Sequence, residues 1–485
     1  MNVAVSRAQM RACEDAYCRA QGLTTDDLTA RAAAALAAAV LADTAATDVV
    51  AFVCGTGSNG EDGRRAARAL ANKRKVILCN ITPHTAKNAV ISALSGATVI
   101  VDALFGFGLS KPIGGTFADA VCAVNRAHEG GARVFSVDLP SGIDCDNGLI
   151  RGGAVQADVT YCVGAAKRGV YLSDGRDCAG AVCVLELGLG AYIPQDAVAV
   201  ATEACLILPK RKSHAHKGSY ANVKIIGGSG RYVGAPLLAL NAAAAALRSG
   251  AGLACAAVPA SLHAAYAART LENTLFTLPD ADGDFLYDAD ALDAFLHKAD
   301  AVAIGMGCGK NGQMHAFLRH LLQLPLLTLI IDADALSYFA AALHGCVRGH
   351  NAVILTPHLG EFASLSGMGV AAVEAAPVQC AADYARAHGC IVVLKSNTTV
   401  ITDGTRTVLA AAAPPALAKG GSGDVLAGVI AGLSGLFPGD PLRAALTAAY
   451  AVGEAAARCR SEGMNEHAVA ASDVLARLPQ VFRGG

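Results

Sequence analysis

The chain has 485 residues, a formal net charge of −1, 16% charged residues and 53% hydrophobic ones. That is enough chain for two or three domains, and neither the charge nor any long basic run argues for nucleic acid or an acidic membrane as a partner. Trp is absent and aromatics make up 5%, so the cores must rest on Ala, Val, Leu and Ile.

The first residues, "MNVAVSRAQMRACEDAY", lack a basic region followed by an apolar core, so they do not read as a signal peptide. The Ala-rich run "AAAALAAAVLA" (32–42) is too short to span a bilayer and reads as a packed helix, and no longer uncharged apolar run follows. Sixteen Cys are scattered with no C-x-x-C pair. They read as free thiols in a reducing compartment, and cytoplasm is the expected location.

Strand patterns lie at Val49–Val53, Val76–Cys79, Thr98–Val101, Val134–Val137, Val159–Val163 and Val182–Leu187, with helical patterns between most of them. That alternation predicts parallel βαβ units in a Rossmann-like doubly wound sheet, with ligands outside the carboxyl ends of the strands. Three loops at such ends carry candidate chemistry.

The first, "CGTGSNGEDG" (54–63), fits G-x-G-x-x-G at Gly55, Gly57 and Gly60. A dinucleotide fingerprint needs an acid about 20 residues on, at the end of the next strand. That strand ends in Cys79-Asn80 instead, and the acids Glu61 and Asp62 sit inside the loop. Carboxylates there disfavour a pyrophosphate and favour a cation or a ligand hydroxyl. The plainer alternative is a tight turn with Asp62 as an N-terminal helix charge. The other loops, "VDALFGFGLSKP" (101–112) and "SVDLPSGIDCDNG" (136–148), place Asp102 and Asp138 at strand ends. Asn59, Asp102 and Ser141 form an all-oxygen set that suits a hard cation.

Taken together the three loops resemble the NAD(P)HX epimerase family over about residues 5–190. The resemblance implies K+ at Asn59, Asp102 and Ser141. It implies substrate contacts at Ser58, Asn59, Gly60, Glu61 and Asp62, at Gly106, Phe107, Gly108, Leu109, Ser110, Lys111 and Pro112, and at Asp138. The reaction implied interconverts the R and S hydrates of reduced nicotinamide, with Asp138 as a proton-handling or hydroxyl-binding group and Lys111 as electrostatic help. Ser58 and Glu61 depart from the usual Asn and Gly, and Glu61 puts bulk and charge where backbone should approach a phosphate.

The pattern loosens near residues 195–210, which sets the expected domains at 1–200 and 201–485. A second α/β unit follows. Its strands are expected at "NVKII", Ala254–Val258, Ala301–Ile304, Thr328–Ile331, Ala352–Leu355 and Ile391–Leu394, then a hairpin turning at Asp403-Gly404. In "ALAKGGSGDVLAGVIAGL" (416–433), Gly420, Gly421 and Gly423 precede a helix expected from about Asp424. Free N–H groups there make an anion hole for a moving phosphoryl group, with Asp424 as the base. The plainer reading makes Asp424 an N-cap. No G-x-x-x-x-G-K-[ST] occurs, so this is not a P-loop enzyme.

This motif, with "HKGSY", "GGSGRYVGAP", "AIGMGCG", "DADAL", "TPHLGEF" and "VLKSNTTVI", is similar to the ribokinase-like ADP- or ATP-dependent NAD(P)HX dehydratases over about residues 205–480. The resemblance implies phosphorylation of the S hydrate's hydroxyl, then loss of phosphate. Substrate contacts carry over to Ala235, Gly309, His358 and Asp424, and nucleotide contacts to Lys395, Ser396, Asn397, Thr398, Thr399 and Gly423. Ser396 replaces a usual Gly, and Lys419 sits beside the anion hole. His358 stands between a ligand contact and a structural hydrogen bonder, and Asp332 and Asp334 between a metal pair and caps. Mg2+ must enter with the phosphoryl donor. A homo-oligomer is expected from the family. The competing functions are a ribokinase-like vitamin-alcohol kinase, and a first half that only binds or assembles.

Overall fold

The computed structural model describes residues 2–230, 235–325, 328–349 and 352–484. The chain divides into two compact units, Asn2–Ala199 and Val200–Gly485.

The first unit is built on a six-stranded sheet. Its order is Lys75–Asn80, Val49–Cys54, Val99–Ala103, Arg133–Val137, Val159–Val163, Ala181–Leu185, parallel throughout. Residues alternate between its two faces, as the pleat requires. Val50, Phe52 and Cys54 join Leu36, Ala66 and Leu70 in one core, while Ala51 and Val53 join Val90, Val121 and Val124 in another. Helices thus cover both faces, and the strands read as continuous apolar runs. The strand order reverses between Val49–Cys54 and Val99–Ala103, so a crevice opens at their carboxyl ends. The expected strands all form, with ends shifted by one or two residues. The four-residue strand Asn2–Val5 was not legible; it pairs with Ala166–Lys167 and fixes the position of Lys167.

The large sheet of the second unit runs, among the described residues, in the order Thr274–Leu278, Leu253–Pro259, Asn222–Ile226, Ala301–Ile304, Thr328–Ile331, Ala352–Leu355, Ile391–Leu394, Thr399–Thr402, Thr407–Ala410. The first seven run parallel and the last two form the antiparallel hairpin. Asp403 stabilises the hairpin turn by accepting the N–H groups of Thr405 and Arg406. The helix Ser422–Ser434 is apolar all round because it is buried all round. A Cβ on Gly428 would lie 2.1 Å from the Ala242 carbonyl oxygen, and one on Gly432 2.4 Å from that of Ala246. Glycine at these positions lets the helix Ala235–Arg248 approach at backbone contact.

Candidate active sites

In the first unit the three loops converge on one cavity of about 560 Å³. The turn after Val49–Cys54 is tight: a Cβ on Gly55 would meet the Leu104 carbonyl oxygen at 2.1 Å, and one on Gly60 the Gly55 carbonyl oxygen at 2.0 Å. Only glycine folds there, and Asn59 and Asp62 are thereby brought to the cavity wall.

Asp102 is fully buried. Its carboxylate accepts from Ser141 Oγ (2.6 Å) and N (2.8 Å), Ser136 Oγ (3.0 Å) and Leu104 N (3.2 Å). All four donors are neutral, and burial pushes its pKa up. Asp138 sits at φ +73°, a strained backbone for an Asp. Its Oδ2 accepts from Phe107 N (2.9 Å), and its Oδ1 pairs with the Lys167 ammonium. Lys167 is wholly buried and also donates to the Val163 carbonyl oxygen. Burial alone would lower its pKa, but the Asp138 carboxylate together with the nearby Cys162 and Cys145 reverses that, and the net shift is upward. Gly106 packs against this pair of acceptors: its Cβ would stand 2.9 Å from Asp138 Oδ2 and 3.1 Å from Asn59 Oδ1.

Of the residues expected at this site, Ser58, Asn59, Asp62, Gly106, Phe107, Gly108, Leu109, Ser110, Lys111 and Asp138 line the cavity; Gly60, Glu61, Pro112 and the two expected cation ligands Asp102 and Ser141 do not. Glu61 turns away, accepting from Arg64 Nε (2.8 Å) and Arg65 Nε (3.0 Å), and these bonds lower its pKa. Its charge is met by two guanidinium groups, so the bulk and charge expected to oppose a phosphate are directed elsewhere. Sequence reasoning missed Arg11, Glu14, Ser136 and Lys167. Lys167 did leave a signal. A lysine ending an apolar stretch such as "VTYCVGAAK" needs a carboxylate partner if the stretch is buried.

In the second unit the helix begins at Ser422, two residues before the expected start, because Gly421 adopts φ +92° and serves as N-cap. Asp424 therefore lies inside the first turn, which removes the reading of it as a cap. Its carboxyl is pushed up to about 6, by burial first and then by the charge of Asp332. Asp332 follows the strand Thr328–Ile331, is buried, and accepts from Lys395 Nζ (2.9 Å) and Thr356 Oγ1 (2.7 Å). A Cβ on Gly423 would stand 3.2 Å from Lys395 Nζ and 3.4 Å from Asp332 Oδ2. An ammonium, a helix N-terminus and a carboxyl whose pKa is raised thus share one spot.

Asp332 and Asp334 meet different partners: Asp332 accepts from Lys395 and Thr356, and Asp334 accepts the Gly309 N–H at 2.9 Å. Among the described residues no three Asp, Glu, His or Cys side chains come together as a metal site. His358 is the N-cap of the helix Leu359–Ser366; its Nδ1 accepts from Gly360 and Glu361 N–H, and its exposed Nε2 lies 3.5 Å from Glu361 Oε1. Lys419 Nζ donates to the His467 carbonyl oxygen. Ala235 opens its helix, and its side chain lies outside the described residues.

The family described as NAD(P)H-hydrate dehydratase matches residues 223–480, and that described as YjeF-related protein N-terminus matches residues 75–169. The bifunctional NAD(P)H-hydrate repair enzyme Nnr of Moorella thermoacetica is 34% identical over 90% of this chain and 87% of its own length. The chain belongs to the bifunctional NAD(P)H-hydrate repair enzymes. The Pyrobaculum aerophilum repair enzyme is 33% identical over 93% of both chains. The repair-enzyme fold of the second unit is similar to a solved structure, the ADP/ATP-dependent NAD(P)H-hydrate dehydratase of Bacillus subtilis co-crystallised with ATP and Mg2+. The two are 30% identical with a TM-score of 0.51, covering 59% of this chain and 97% of that one. The ribokinase-like architecture expected from the sequence is therefore the one observed. No helix among the described residues is long and apolar enough to cross a membrane.

Proposed function

We propose that unit Val200–Gly485 restores the reduced dinucleotide from its S hydrate at Asp424, and that unit Asn2–Ala199 interconverts the R and S hydrates at Asp138. The observation that carries the first assignment is Asp424 beside Gly423, Lys395 and Asp332. Hydroxide is a poor leaving group and phosphate a good one. Asp424 takes the hydroxyl proton as the hydrate oxygen bonds to the terminal phosphorus and the bond to the nucleoside phosphate breaks. The Lys395 ammonium and the helix N–H groups stabilise the charge that gathers on the phosphoryl oxygens. Phosphate then leaves with the C–O electron pair while the ring nitrogen's lone pair forms the C=N bond. A proton lost from the adjacent carbon restores the reduced ring. Asn397, Thr398 and Thr399 follow Lys395 on the nucleotide side, with Ser396, and Gly309 and His358 face the substrate. Mg2+ enters with the nucleotide phosphates, which suits a cation that keeps its waters and takes few protein ligands.

In the first unit Asn59, Asp102 and Ser141 would hold K+. The donor set fits: Asp102 is a buried carboxylate met only by neutral donors, and a monovalent cation supplies the missing charge. Arg11 and Lys111 place positive charge on the cavity wall for the dinucleotide phosphates. All sixteen cysteines are unpaired, which supports the cytoplasm as the place of work.

The test is to incubate the protein with each NADH hydrate, Mg2+ and ADP or ATP, and to follow the absorbance of restored NADH. Recovery from the S hydrate is expected with nucleotide and none without it. Failure with both nucleotides ends the dehydratase assignment.

A further inference from the structure

The helix Arg7–Gln21 presents Arg11 and Glu14, one turn apart, to the same cavity that Asn59, Asp62 and Asp138 line. Nothing in the chemistry assigned so far uses Glu14. The cavity wall has unmet polar atoms: Asn59 is 7% exposed with Nδ2 unpartnered, and Asp62 Oδ1 is buried without a partner. Such atoms around open space ask for a polar ligand. The two carboxyl groups nearest in role differ in what meets them. Asp138 is ion-paired with Lys167. Among the described residues Glu14 has no such direct ion pair. Burial raises its carboxyl to about 7, with Asp138 and Asp15 adding to the rise and Lys167 and Arg11 opposing it. Asp62 is raised to about 7 too, by burial and then by Asp138 and Glu14.

Epimerisation of the hydrate needs an acid and a base. The hydroxyl carbon is bonded to the ring nitrogen. A neutral carboxyl gives its proton to the hydroxyl oxygen, the C–O bond breaks, and water leaves as the nitrogen lone pair forms the C=N bond. Water then bonds to the other face, losing a proton to a carboxylate, and the electron pair returns to nitrogen. The proton gained by the second carboxylate returns to the first carboxyl through solvent, so no net proton or electron is consumed. One carboxyl paired with a buried ammonium and another on the same cavity wall without one suit the roles of base and acid.

We propose that Glu14 is the acid of this site, protonating the departing hydroxyl while Asp138, held by Lys167, takes the proton of the incoming water. This rests on the epimerase reading of the unit.

The experiment uses the full chain with purified R hydrate and resolves R from S by chromatography, subtracting the uncatalysed rate. If the unaltered protein does not accelerate R-to-S conversion, the epimerase reading fails. If it does, Glu14→Gln is expected to lower kcat by about 10²-fold with KM little changed. The fall in rate above about pH 7 should also vanish. Dehydratase activity on S hydrate, from the other unit, should be unchanged. Full epimerase activity in Glu14→Gln, or a loss confined to KM, overturns the proposal. So does Asp62→Asn showing the loss while Glu14→Gln does not, which moves the acid to Asp62. If Glu14→Gln folds poorly, Glu14→Asp decides: a moved alkaline limb supports Glu14, and an unmoved limb at full rate overturns it.

Discussion

Lys167 and Asp138 form an ion pair at the floor of the cavity: Lys167 is 0% and Asp138 4% exposed. Their elements differ, since Lys167 ends the short strand Ala166–Lys167 while Asp138 follows the strand Arg133–Val137. Removing one partner of such a pair leaves an uncompensated buried charge. Lys167→Met should cost about 3–5 kcal/mol of unfolding free energy. Lys167→Met with Asp138→Asn should recover most of that, yet epimerisation should stay lost. Denaturant melts of the single and double variants measure the difference, and an equally unstable double variant would show that packing alone is responsible.

Asp424 carries a second trade of stability for chemistry. Its folded pKa of about 6 lies above the unfolded value of 3.8, so folding disfavours its charged form. That penalty is absent below about pH 3.8, grows between about 3.8 and 6, and is complete above. Asp424→Asn should therefore lose about 10²-fold or more in dehydratase rate. At pH 8 the variant should unfold with on the order of 1–3 kcal/mol more free energy, with little gain at pH 4. An unchanged rate would remove Asp424 as the base.

The same group sets a pH dependence. A base must be unprotonated, so dehydratase kcat should fall about tenfold per pH unit below about pH 6 and level off above it. A pH profile with saturating ATP and S hydrate measures this. A limb that persists unchanged in Asp424→Asn belongs to another group.

Gly106→Ala separates the two activities. The added Cβ meets Asp138 Oδ2 and Asn59 Oδ1 inside 3.2 Å, closer than ordinary van der Waals contact. Epimerisation should drop at least tenfold, since small misplacements of reacting groups are costly, while dehydration of the S hydrate stays unchanged.

His358 can be resolved by two substitutions. Asn still caps a helix and Ala does not, so His358→Ala should lose about 1 kcal/mol and His358→Asn much less. A matching fall in dehydratase kcat/KM for both variants would assign the exposed Nε2 to the substrate. No fall in either leaves the cap as its role.

The sequence by itself determined most of the strands (Asn2–Val5 and Thr274–Leu278 excepted), the three glycine- and acid-bearing loops, and the glycine-rich helix start at Gly420 to Gly423. These are local: apolar runs, glycine spacing and a helix start are all written in neighbouring residues. Asp102, Asp138 and Asp424 were legible because they end strands or open helices, where doubly wound sheets put ligands. Only the tertiary structure decided what each carboxyl group does. Whether Asp138 is paired, Asp102 is met by neutral donors or Glu14 is half-buried depends on partners from Ser136 to Lys167, far along the chain. Burial and the field of distant charges set protonation, and neither has a sequence period. The direction of Glu61, toward Arg64 and Arg65 and away from the cavity, was settled the same way, by helical geometry that puts residues three and four apart on one face.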